Sequence, residues 1–275
     1  MTDSDPEAPD PGATDGVRHQ PGGKSLAGRR PGPSVVVVMP AYNAARTLAA
    51  TWRAIPTDAV DEVILVDDGS IDATLTVAAQ LPIRTLPLPH NVGYGGNQKT
   101  CYLEALRLQS DIVVMLHPDG QYDPALIPEM VAPIAAGEAD MVLGSRMLIP
   151  GGARAGGMPR YRYFSNTALT SIENWALKTQ FSELHTGYRA YSRRFLQTVP
   201  FLRNSNDFVF DTQIIAQAIV FKQRVVEVPI ATRYFADASS TSMGANIRYG
   251  LGTLGTMARL RMHRSRLLRS RLFLA

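Results

Sequence analysis

Val35-Val36-Val37-Val38-Met39, running into Pro40-Ala41-Tyr42-Asn43, is the stretch that decides the fold. Five apolar residues in a row, four of them β-branched, suit a strand covered on both faces, because a strand with one wet face alternates apolar and polar side chains. Upstream, residues 1–33 hold six prolines, six glycines and almost no large apolar side chain. They bury too little surface to offset the entropy of ordering and are predicted to be a disordered tail. Downstream, an Ala-rich segment from Ala44 to Ala54 leads to Glu62-Val63-Ile64-Leu65-Val66. Helical spacing over Asp72–Gln80 and a short apolar stretch over Arg84–Leu88 follow. The alternation continues as Gly95–Leu108 (helix), Ile112–Leu116 (strand), Pro124–Ala135 (helix) and Asp140–Leu143 (strand). Repeated strand–helix units predict an α/β fold with a mostly parallel sheet and helices on both faces.

Beyond Gly144 the rhythm loosens. A Gly/Arg-rich stretch, Pro150–Pro159, precedes a helical Tyr161–Lys178, a short strand Gly187–Tyr191, a helix Phe208–Phe221 and a strand Arg224–Pro229. This half reads as a lid or acceptor module rather than more of the same sheet. The chain then divides into the tail 1–33, a ligand-binding half 34–146, an acceptor half 147–258 with a mobile loop, and a basic end 259–275.

Composition narrows the function. The 275 residues are 45% hydrophobic and 19% charged, the balance of an ordinary globular protein. One cysteine, Cys101, excludes a disulfide framework and a thiolate zinc site and points to a reducing, cytoplasmic compartment. Six arginines and no acid lie in 259–275, leaving 22 basic and 24 acidic groups in the other 258 residues. A near-neutral body with a basic, leucine-bearing end argues against a nucleic-acid-binding surface and for attachment of that end to an anionic membrane. Neither a spanning helix nor a signal peptide is expected.

Three strands run out into polar residues at one sheet edge: Pro40-Ala41-Tyr42-Asn43, Asp67-Asp68-Gly69-Ser70 and His117-Pro118-Asp119-Gly120-Gln121. In parallel sheets that edge is the ligand crevice. Carboxylates gathered there repel one another unless a cation or a hydrogen-bonding ligand joins them, and a metal–phosphate ligand meets both demands. Taken singly, Asp67-Asp68-Gly69-Ser70 reads equally as a turn with a helix cap, and Asp119 with Gln121 as a turn before Pro124. Two side-chain oxygens two residues apart also suit a hard cation, Mg2+ or Mn2+, that keeps waters and bridges a diphosphate.

Six short motifs in order carry a resemblance: Val38–Asn43, Val66–Ser70, Asn91-Val92-Gly93-Tyr94-Gly95-Gly96-Asn97, His117–Gln121, Gly144-Ser145-Arg146 and Gly187-Tyr188-Arg189. Over residues 35–235 the sequence resembles family 2 glycosyltransferases of the Rossmann-like GT-A fold, in the dolichyl- or polyprenyl-phosphate sugar synthase-like branch. The resemblance implies a nucleotide-sugar donor, GDP- or UDP-linked. It implies that Pro40 and Tyr42 hold the base, that Asn43, Asp67 and Asp68 belong to the nucleotide site with Asp68 bonding the base, and that Asp119 and Gln121 hold the metal. It further implies that Arg146 contacts phosphate. The sequence departs from the family's Asp-X-Asp metal motif at His117, which leaves ligand, supporting donor and tolerated substitute open. The segment Asn91–Asn97 lacks a P-loop ending and reads as a tight turn feeding a helix.

The acceptor decides whether a base is needed. A sugar hydroxyl must lose a proton, whereas a phosphate monoester is already anionic. Glu183, Asp207 and Asp211 are available in the second half, with Asp211 the nearest base candidate or simply a helix-start residue. Without the acidic pair of hydroxyl-accepting relatives, the reading leans to an inverting transfer of a hexose to polyprenyl phosphate, with Arg146, Arg154, Arg160 and Arg162 near the acceptor. A transferase acting on a sugar or glycolipid hydroxyl, and a non-catalytic nucleotide-sugar-binding protein, are the alternatives.

Overall fold

A computed structural model describes residues 32–232 and 243–274. The predicted tail therefore lies outside the described residues, apart from its last two positions. In chain order the elements are β1 (Val35–Ala41), α1 (Leu48–Arg53), β2 (Glu62–Asp67), α2 (Thr74–Ala78), β3 (Arg84–Pro87), α3 (Tyr94–Arg107) and β4 (Ile112–Met115). Then come α4 (Ile127–Ala135), β5 (Met141–Ser145), α5 (Gly152–Ala155), α6 (Arg160–Leu177), β6 (Arg189–Ser192), α7 (Arg193–Thr198), α8 (Phe210–Val220), β7 (Val225–Pro229) and α9 (Met243–Arg264).

The seven strands form one sheet in the order β3-β2-β1-β4-β6-β5-β7. The β1–β2, β1–β4, β2–β3 and β5–β7 pairs are parallel, and β6 runs antiparallel between β4 and β5. Burial of every β1 residue explains the unbroken apolar run. Alternate side chains serve opposite faces. Val36 and Val38 join Ile64, Val113 and Met115 under α3 and α8, whose Tyr102, Phe210 and Ile214 are buried. Val35, Val37 and Met39 join Leu65, Ile112 and Val114 under α1 and α4, with Leu48, Ile127 and Met130.

Two expectations are corrected. The second half is not separate from the sheet: β6 and β7 are two of its seven strands. Four- and five-residue strands, one inserted antiparallel between distant partners, break the local strand–helix rhythm on which that expectation rested. The basic end is not a segment apart from the fold either. Its first residues complete α9, and Leu260, Leu272 and Phe273 belong to the core. Arg203 Nη1 donates to the Arg271 carbonyl at 3.0 Å and to that of Leu274, and Arg264 Nη1 donates to the Ala176 carbonyl at 2.8 Å. Phe273→Ala is expected to cost about 3 kcal/mol of stability, as truncating a buried aromatic does, read from denaturant unfolding. A change below about 0.5 kcal/mol, the size of a surface effect, would mean the end is not docked.

The chain leaves β1 toward β2 and β3 on one side and later returns to β4 on the other. The order reverses between β1 and β4, so the C-terminal ends of these two strands frame the crevice.

Candidate active site

At the end of β1 the chain turns sharply, with Asn43 at a φ of 53°, a conformation asparagine tolerates better than most residues. Asn43 N–H donates to Ser70 Oγ at 2.8 Å, and Asn43 Oδ1 accepts from Ile71 N–H at 3.0 Å. Asp67 accepts from Ser70 N–H at 3.0 Å. Asn43 and Asp67 are thus spent on tying the ends of β1 and β2 together, and Pro40 is buried in register with Val66. Tyr42, by contrast, stands 53% exposed at the rim as a flat apolar face.

Asp68 is buried, and its two oxygens accept from Val92 N–H at 2.7 Å and Gly93 N–H at 3.1 Å. Burial raises its pKa above the ordinary carboxylate value even against these two donors. It thereby orders the turn into α3. Gly93, at a φ of 89°, passes so close to the Asn206 carbonyl that a Cβ would sit 2.6 Å from its oxygen, which explains the glycine there. The reading of Asn91–Asn97 as a turn feeding a helix holds, with Gly93 as the residue before α3.

From the end of β4, Asp119 Oδ1 accepts from Gln121 N–H at 2.9 Å across Gly120, whose φ is 74°. This Asx turn brings a carboxylate and a primary amide onto one half-buried corner. Among the described residues no group of three or more His, Cys, Asp or Glu side chains is arranged to enclose a metal ion. The oxygens of Asp119 and Gln121 fit a hard cation only if diphosphate oxygens and water complete the shell.

Behind that corner lies a polar chain whose connections the sequence does not reveal. Tyr94 Oη donates to Asp211 Oδ2 at 2.9 Å and lies 3.2 Å from His117 Nε2. Since the single phenolic proton goes to Asp211, the His117 contact requires the proton on Nε2, donated to Tyr94. Burial lowers the His117 pKa, against the pull of Asp119 and Asp211 and together with Arg189. Gly187 makes room for this imidazole: a Cβ there would lie 2.8 Å from His117 Cδ2. Asp211 Oδ1 pairs with Arg189 Nη1 at 2.9 Å and accepts from Gln98 Nε2 at 3.3 Å. Burial and Asp211 push the Tyr94 hydroxyl well above its ordinary value.

Asp211 sits in the first turn of α8, as the helix-start reading has it, but its carboxylate is committed to Arg189, Tyr94 and Gln98. Arg146, expected at the phosphate, is paired within the fold. Its N–H donates to Glu183 Oε2 and its Nε to Glu183 Oε1, both at 2.8 Å, while Nη2 pairs with Glu183 and donates to the His185 carbonyl at 3.1 Å. A buried guanidinium needs a buried counter-charge, and here Glu183 supplies it. Sequence reasoning missed Tyr94 and Arg189 as site residues. Both lie inside quoted motifs, yet their partners are 117 and 22 residues away.

Residues 36–199 match the family model "Glycosyl transferase family 2". The chain is similar to the polyprenol monophosphomannose synthase of Mycolicibacterium smegmatis, 29% identical over 244 residues that cover 85% of this chain and 90% of that protein. It is also similar to the UDP-N-acetylglucosamine--dolichyl-phosphate N-acetylglucosaminyltransferase of Methanococcus voltae, 25% identical over 245 residues, 83% of this chain and 96% of that one. Among solved structures it is similar to glucosyl-3-phosphoglycerate synthase from Mycobacterium tuberculosis, crystallised with Mn2+, uridine diphosphate and phosphoglyceric acid. The TM-score is 0.65 at 19% identity, covering 84% of this chain and 79% of that one. With a GT-A sheet and a family match running from β1 through α7, the chain belongs to glycosyl transferase family 2 and is a glycosyltransferase.

Proposed function

We propose that this glycosyltransferase moves a hexose, with inversion, from a nucleotide sugar to a polyprenyl phosphate. The observation that carries the reading is that Tyr42, Asp68 and Asp119 follow the C-terminal ends of the adjacent parallel strands β1, β2 and β4, beside the point where strand order reverses. In this reading residues 34–146 bind the donor and 147–258 receive the acceptor. Tyr42 stacks on the base, and Asp68, steadied by two backbone donors, accepts from a base N–H through its remaining lone pairs. Asp119 and Gln121 would hold Mg2+ or Mn2+, an ion that when bound offsets charge on the departing nucleoside diphosphate.

The state of the carboxylates supports the acceptor assignment. Glu183 is paired with Arg146, Asp211 with Arg189, and Asp207 Oδ1 accepts from Phe208 N–H at 2.7 Å. A phosphate acceptor brings its own nucleophilic oxygen and needs none of them. That oxygen attacks the anomeric carbon from the face opposite the diphosphate. The new C–O bond forms as the bond to the diphosphate breaks, and the configuration inverts. The names of the M. smegmatis and M. voltae relatives, a polyprenol-phosphate and a dolichyl-phosphate enzyme, support the same acceptor class. Such a reaction, drawing on nucleotide sugars, belongs at the cytoplasmic face of a membrane.

The test is a donor panel of GDP-mannose, UDP-glucose and UDP-N-acetylglucosamine, with and without polyprenyl phosphate, reading released nucleoside diphosphate. Release that requires polyprenyl phosphate and a divalent cation is expected with one donor. Release driven by a sugar hydroxyl and indifferent to polyprenyl phosphate would overturn the acceptor assignment. Tyr42→Ala is expected to weaken binding of the matching nucleoside diphosphate by about 1 kcal/mol, roughly fivefold in Kd by calorimetry. An unchanged Kd would place the base elsewhere.

A further inference from the structure

We infer that the outward faces of α6 and α9 form a surface that docks on an anionic phospholipid bilayer. On α6, Tyr161, Phe164, Ala168, Ile172 and Trp175 are all exposed and recur at intervals of three and four residues, so they form one stripe. Phe164 and Trp175 show 61% and 65% of their surface, far more than side chains that fill a core. On α9, Ile247, Leu251, Leu254, Ala258 and Met262 repeat the pattern, and all five are exposed. The two helices pack together, and Arg261 of α9 lies over the Trp175 ring of α6 at 4.1 Å, which joins the stripes. Apolar surface of this extent facing water marks an interaction site.

The charges around it say what the partner is. Residues 243–275 contain no acid, and 147–178 contain only Glu173, which is buried against His185 Nε2 at 3.0 Å. The exposed charges beside the stripes are Arg160, Arg248, Arg259, Arg261 and Lys178, all positive. Aromatic and aliphatic side chains flanked by arginines and a lysine match an acyl-chain boundary below a layer of anionic headgroups. The long stems extend along the apolar surface and leave their charged heads at the phosphates. A second copy of the chain is a poorer occupant, because a two-fold contact would set these cations against one another. Among the described residues no helix is long and apolar enough to cross a membrane, and the proposed contact is made by α6 and α9 lying on the bilayer. This extends the membrane contact expected from residues 259–275: Leu260 and Leu272 of that segment are core, but Arg259, Arg261 and Met262 lie on the α9 stripe, which α6 continues. The inference stands on the helix surfaces and does not depend on the acceptor's identity.

The experiment uses the full chain and vesicles of phosphatidylglycerol with phosphatidylcholine, or of phosphatidylcholine alone. Two measurements are made. Sedimentation with anionic vesicles is expected, falling as salt rises and about tenfold or more weaker in the double variant Phe164→Glu, Leu251→Glu, with the unfolding midpoint unchanged. In Trp52→Phe, where Trp175 is the remaining tryptophan, emission should shift to the blue on adding anionic vesicles and stay put with inorganic phosphate. This second measurement leaves the stripes intact, so it decides the matter even where the glutamate variant fails to fold. Vesicle binding unaffected by the two glutamates, a Trp175 emission that vesicles do not move, or equal binding to phosphatidylcholine alone would each overturn the inference. So would conversion of a dimer to a monomer by the glutamates, which would assign the face to self-association.

Discussion

Asp119→Asn is expected to lower kcat by about a hundredfold or more, with the thermal midpoint essentially unchanged. The magnitude follows from the charge being removed. A divalent cation on a departing diphosphate contributes several kcal/mol to the transition state, and each 1.36 kcal/mol is about tenfold in rate. In the proposed site one protein carboxylate would carry that ion, because the other described carboxylates near the rim are spent on backbone donors or paired with arginines. The effect on stability is small because Asp119 is half-buried on a turn and an asparagine Oδ1 still accepts from Gln121 N–H. Mn2+ binding in the presence of nucleoside diphosphate, followed by electron paramagnetic resonance, gives a readout independent of turnover and should weaken in the same variant. Wild-type kcat in Asp119→Asn, or full activity in excess chelator, would remove the metal from this corner.

What the sequence made legible is whatever is local. The Val35–Met39 run announces a doubly covered strand, and the structure buries all of β1. The polar residues after β1, β2 and β4 announce a common rim, and parallel pairing of those strands brings the three ends together. Gly93 announces the turn before α3, because only a glycine fits against the Asn206 carbonyl. What was not legible is long-range charge pairing. That Arg146 pairs with Glu183, 37 residues later, has no local signal. Asp211 does start a helix, as its position in the sequence suggests, but its pairing with Arg189 and Tyr94 has no local signal. The arginines of 259–275 mask the fact that Leu272 and Phe273 return to the core, since a hydrophobic pair inside a basic segment has no periodicity to betray it.

The same pairing governs the second large effect. Arg189 is fully buried in β6, with Tyr94, Tyr102 and Tyr191 as polar neighbours and Asp211 as its counter-charge. Its Nε and Nη2 have no hydrogen-bond partner among the described residues, so Asp211 carries most of the compensation for taking this cation out of water. Asp211→Leu strands the guanidinium and is expected to cost about 3–5 kcal/mol of unfolding free energy. Arg189→Met should cost less, because Asp211 would still accept from Tyr94 and from Gln98. The double variant should recover most of the loss of Asp211→Leu, since a well-packed apolar pair of similar volume often replaces a buried ion pair at little net cost. Denaturant unfolding of all four proteins measures the coupling. Additive losses would mean that the two charges are compensated independently. The double variant also removes the acceptor of the Tyr94 proton, so the phenolic proton is free to turn toward His117 and the imidazole behind the Asp119 corner need no longer carry its proton on Nε2. A nitrogen-15 spectrum of the His117 ring reads that tautomer directly, and an unchanged Nε2–H tautomer would show that Asp211 does not set it through Tyr94.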